Sequence, residues 1–166
     1  MPEFIVIKTL VHAVWLGVAA TALLDLWLLL LKRLGVPTGS FALIGRWVGH
    51  MRRGRFSHPA IAAAAPLRHE LALGWAVHYA VGIAFAAALL ALQGPAWLAA
   101  PQPLPALLFG LATVALPMLV MQPAMGLGVA ASKTPTPLRN SLRSLANHLI
   151  FGLGLYLTAL AARLLA

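Results

Sequence analysis

The stretch LVHAVWLGVAATALLDLWLLLL, Leu10 to Leu31, decides the fold of this chain. It is built mostly of Leu, Ala and Val, and about 20 such residues suffice for a helix to cross a bilayer. Asp25 sits inside it and is one of only three acidic residues in the sequence. A carboxylate in such a segment is costly, so it marks either a function or a polar pairing.

Composition extends the reading to the whole chain. Of 166 residues, 61% are hydrophobic and 9% are charged. A soluble domain carries about 25% charged residues. The apolar residues fall in long blocks with the charges confined between them, the pattern of an integral membrane protein. The formal net charge is +9, and ten of the twelve Lys and Arg lie in two segments, Lys32 to Arg68 and Lys133 to Arg143. Basic clusters beside apolar runs set membrane topology. No nucleic-acid motif accompanies them, so nucleic acid is not an expected partner. The absence of cysteine excludes disulfides, iron–sulfur clusters and thiolate metal sites. The first apolar stretch is too long for a cleavable signal, and Lys32-Arg33 reads as a stop-transfer flank. Insertion into a bacterial cytoplasmic membrane without processing is the expectation.

Four spans are expected, at about 5–31, 71–92, 104–131 and 142–165, forming an all-α four-helix bundle in a single domain, 1–166. Pro117 and Pro123 predict a kink or break in the third. The uncharged connection 93–103 carries Trp97 and reads as a short outer loop with an interfacial aromatic. The other two connections are basic, hence cytoplasmic, which places both termini on the outer face. Phe41, Ile44, Trp47, Val48 and Met51 recur at helical spacing and predict an interfacial helix over about 40–52. Arg52, Arg53 and Arg55 follow it and suit anionic lipid or phosphate at the cytoplasmic face. Pro135 and Pro137 stiffen the last connection, with Asn140 or Ser141 capping the fourth helix.

One polar residue per span forms the candidate ligand or ion site: Asp25, His78, Gln122 and His148. Counted from the inner helix ends at 1.5 Å per residue, these lie at depths of about 7–16 Å, in the cytoplasmic half of the bilayer. Gly17, Thr21 and Asp25 share one stripe, Gly74, His78 and Gly82 another, and Ser144, His148 and Gly152 a third. Small residues let membrane helices approach, and polar side chains then meet across the contact. Three readings fit such a cluster: mutual hydrogen bonding with no further role, a site for a proton, cation or small polar solute, and haem or metal ligation by the histidines. His50, His58, His69 and Glu70 match no standard zinc spacing. They read as solvated loop residues or as a lid over the inner mouth, with Glu70 also suited to a helix start. Met121-Gln122-Pro123, followed by Gly126 and Gly128, is where a broken helix would expose backbone carbonyls. No nucleophile motif, phosphate loop or HExxH is present.

Taken together, Gly45-Arg46-Trp47, Gly49-His50, Gly54-Arg55-Phe56, His58, Gly74-Trp75, His78-Tyr79, Met121-Gln122-Pro123, Gly126, Gly128, Arg143-Ser144-Leu145, His148, Phe151-Gly152, Gly154 and Tyr156 carry a resemblance. The chain resembles a bacterial family of small integral membrane proteins catalogued as a domain of unknown function. The resemblance implies a multi-span membrane protein and assigns no catalytic residue, so an enzyme is not the leading expectation. Four spans enclose little interior, which makes a homodimer a reasonable expectation. The leading functional expectation is a polar site in the inner half of the bundle. A haem- or metal-binding redox subunit and a structural accessory protein are the rivals.

Overall fold

A computed structural model describes the backbone of residues 2–164 and the side chains of residues 7–164. It is all-helical, with no strand among the described residues. The long helices are α1 (Pro2–Arg33), α3 (Glu70–Gln93) and α7 (Pro137–Leu164). Shorter helices are α2 (Phe41–Met51), α4 (Ala96–Ala99), α5 (Pro103–Thr113) and α6 (Gln122–Ala124). A π-helical turn, Pro117–Met121, links α5 to α6. Among the described residues, four stretches are long and apolar enough to cross a membrane: Ile7–Arg33, Glu70–Gln93, Pro103–Ala124 and Pro137–Leu164. Leu165, the expected end of the last span, lies outside the described residues.

Three details differ from the sequence reading. The third stretch stops at Ala124, seven residues short of the expected end at 131. Gly126 and Gly128 take φ of 88° and 76°, a left-handed conformation that ends the helix. α7 begins at Pro137, earlier than expected, because proline at the first turn forfeits no helical hydrogen bond. Asn140 and Ser141 are therefore not caps: Asn140 donates to Thr134 Oγ1 at 2.9 Å and Ser141 to the Ala130 carbonyl at 2.8 Å. Trp97, read as an interfacial aromatic, is 6% exposed and packs in an apolar core.

The chain divides into two compact units, 1–36 with 79–112 and 147–166, and 37–78 with 113–146. The first is built from α1, the C-terminal part of α3, α4, α5 up to residue 112, and the C-terminal part of α7. Its core gathers Leu16, Ala20, Leu89, Leu90, Ala106, Phe151, Leu155 and Ala159. Lipid is as apolar as leucine, so burial alone does not drive membrane helices together. Close packing does, and glycine permits it. A Cβ on Gly82 would collide with Thr21, and one on Gly110 would sit 2.7 Å from the Gly152 Cα. Large apolar side chains such as Leu10, Trp15, Leu26 and Leu30 stay exposed on α1. Apolar surface on that scale is unusual in water and ordinary against lipid tails.

The second unit is less regular. It holds α2, the connection from α2 to α3, the first turns of α3, and the broken segment from 113 to the first turns of α7. Ser40 opens α2 by accepting from the Ala42 amide at 3.3 Å. α2 then crosses the start of α3 closely: a Cβ on Gly45 would collide with the Glu70 carbonyl, and one on Gly74 with the Phe41 carbonyl. The long connection is tied to the broken segment by its backbone. The His58 amide donates to the Ala124 carbonyl at 2.8 Å and the Ile61 amide to the Met125 carbonyl at 3.0 Å. These bonds occupy two of the carbonyls that the helix break releases.

Candidate functional site

Within the first unit, polar groups from separate helices meet at one level. Tyr79 on α3 donates from its hydroxyl to Asp25 Oδ2 on α1 at 2.8 Å. Two residues along α1, Trp27 Nε1 donates to Asn147 Oδ1 on α7 at 3.1 Å. His148, next to Asn147, hydrogen-bonds the Gly110 backbone on α5. Residues 25 and 27 on α1 are thus level with 79 on α3 and 147 on α7. Asp25, Tyr79, Asn147 and His148 are all partly buried.

Asp25 and His148 belong to this first unit; His78 and Gln122 belong to the second. His78 packs its ring on Phe41, with centroids 4.4 Å apart, and on Trp75 at 5.8 Å. Gln122 is 7% exposed and donates from Nε2 to Ser144 Oγ at 3.3 Å. Its Oε1 is buried with no hydrogen-bond partner. The sequence reading missed Tyr79, Trp27 and Asn147. Asn147, an amide that precedes a long apolar run in α7, was the available signal.

The second unit is organised around Arg46. Its Nη2 and Nε donate to Glu70 Oε1 and Oε2 at 2.7 and 2.9 Å, a bidentate fork. Nη1 donates to the Ala62 and Ala64 carbonyls at 3.1 and 3.0 Å, so one side chain pins the α2–α3 connection. Glu70 Oε2 also accepts from the Leu67 amide at 2.9 Å, so the carboxylate does sit at the helix start but serves mainly as the partner of Arg46. With three acidic residues in the chain, the acid partner of a partly buried arginine had few candidates.

Two of the histidines read as solvated are buried. His50 is 3% exposed and His58 9%, with ring centroids 5.1 Å apart and planes inclined at 62°. Burial, the nearby His50 and Arg55 all push the His58 imidazole below the ordinary value of 6.5, favouring its neutral form. His69 stays exposed at φ of 62°, where it turns the chain into α3. Arg52, Arg53 and Arg55 are exposed beyond the end of α2. Among the described residues, no group of three or more His, Cys, Asp or Glu side chains is arranged to hold a metal ion.

Residues 14–162 match a family model described as Protein of unknown function (DUF2938). No curated protein and no solved structure matches the chain.

Proposed function

We propose that this chain, which belongs to that family, binds and moves a proton, cation or small polar solute at the polar level around Asp25. The observation that supports the reading is the Asp25–Tyr79 hydrogen bond within membrane-capable helices. An ionisable group at such a depth is expensive to keep and points to a transport or relay role. Tyr79 orients one carboxylate oxygen, and Asn147 and His148 bring further polar atoms to the same level. The carboxylate is the group that would take up the proton or cation.

The proposal extends to topology. The basic connections face the cytoplasm, both termini face outward, and the membrane is the bacterial cytoplasmic one. Arg52, Arg53 and Arg55 then meet anionic lipid headgroups at that inner face, at about 1 kcal/mol per basic residue. Liposomes carrying purified protein and internal pH-sensitive and Na⁺-sensitive dyes test the transport reading. Wild-type protein is expected to dissipate an imposed proton or sodium gradient. Asp25→Asn should slow this by on the order of 100-fold, the usual worth of a positioned proton-transfer group. A wild-type rate equal to that of protein-free liposomes would overturn the proposal.

A further inference from the structure

His50 and His58 come from different segments and meet in the second unit with three ring nitrogens unused. His50 Nε2 lies 3.0 Å from the Ala65 carbonyl oxygen. A carbonyl only accepts, so Nε2 carries the ring proton and Nδ1 presents a lone pair. That Nδ1 is buried and has no hydrogen-bond partner, and the same holds for both nitrogens of His58. Buried polar atoms are nearly always paired, so three orphans on two touching rings call for an explanation.

The geometry points to a site for a borderline transition-metal dication of the Zn²⁺ class, held by His50 Nδ1 and a ring nitrogen of His58. Two imidazoles on one tetrahedral ion, with nitrogens about 2.0–2.1 Å from the metal, place their ring centres about 5 Å apart. The observed separation is 5.1 Å. The His50 Nε2–H to carbonyl bond is the outer contact that orients metal-bound histidines. Imidazole nitrogen selects Zn²⁺, Co²⁺ or Cu²⁺ over Mg²⁺ or Ca²⁺. Gln122 Oε1, a buried oxygen without a hydrogen-bond partner, belongs to the same unit. The Ala124 carbonyl, two residues on, receives the His58 amide. Neither histidine is part of the Asp25 level, so this site stands or falls separately from the transport reading.

Untagged, chelator-stripped protein in detergent tests the site by Zn²⁺ calorimetry and by pulsed EPR after loading with Cu²⁺. The expected result is one ion per chain, with two imidazoles coupled to the copper. His50→Ala and His58→Ala should each remove one of those imidazoles. Each should also lower Zn²⁺ affinity by at least about 10-fold, the loss seen even for an outer partner. Affinity unchanged in both variants would overturn the proposal. Should the variants fail to fold, wild-type protein still decides. A Tm raised by Zn²⁺ and not by Mg²⁺, with two imidazoles on copper, sustains the site. A copper spectrum with fewer than two imidazoles leaves the ring pair as edge-on aromatic packing and removes it.

Discussion

The two units handle buried polarity differently. In the first, side chains on regular helices are paired across helix contacts: Asp25 with Tyr79, Trp27 with Asn147. Its orphans are the Thr21 hydroxyl and the Trp97 indole N–H. In the second, a charged fork and irregular backbone do the pairing, and the orphans are His50 Nδ1, both ring nitrogens of His58 and the Gln122 oxygen. A hydroxyl or an indole N–H is a weak handle for a cation. Imidazole lone pairs and an amide oxygen are good ones. Helix packing alone therefore accounts for most of the first unit, whereas the second keeps unmet coordinating capacity.

The largest expected effect falls on the second unit. Arg46→Ala leaves Glu70 without its partner and releases the Ala62 and Ala64 carbonyls. Removing one member of this partly buried pair leaves the other's charge uncompensated, which unfolding in detergent would register as a lower midpoint. Arg46→Lys keeps the charge but loses the fork, so it should recover only part of the loss. In the first unit, Gly82→Leu forces α1 and α3 apart at Thr21. Overpacking of this kind costs about 1–3 kcal/mol, measurable in the same unfolding assay. If Gly82→Leu proved worse than Arg46→Ala, the contrast between the units would be reversed.

Smaller effects are expected at Tyr79 and His58. Tyr79→Phe removes one interhelical hydrogen bond, worth on average about 0.6 kcal/mol within membrane proteins. The smallest is a pH slope in metal-stripped protein. His58 is held below its ordinary value of 6.5 in the folded state, so the unfolded chain binds more protons in between. The stability it contributes is complete above 6.5 and is lost as pH falls through the lower folded value. His58→Gln should flatten that slope in a series of thermal melts.

The helices were legible because their evidence is local. Apolar run length gave the four spans, and spacing from Phe41 to Met51 gave α2 within a residue or two. The stripes of small residues marked real contacts at Gly17, Gly82 and Gly152. Pro117 and Pro123 marked the irregular turn, but the end of the third stretch depended on φ at Gly126 and Gly128. Pairings between distant residues were not legible. Nothing local connects Arg46 to Glu70, or His50 to His58 across the turn at Gly54. Trp97 has the composition of an interfacial anchor, and only packing shows it buried.

In the proposed transport, Asp25 and Tyr79 act as one unit on the transported species. A double-mutant cycle on gradient dissipation in liposomes measures that coupling directly, using Asp25→Asn, Tyr79→Phe and the combined variant. Adding Tyr79→Phe to Asp25→Asn is expected to slow dissipation no further. Independent, multiplying effects, or wild-type rates in all three variants, would contradict it.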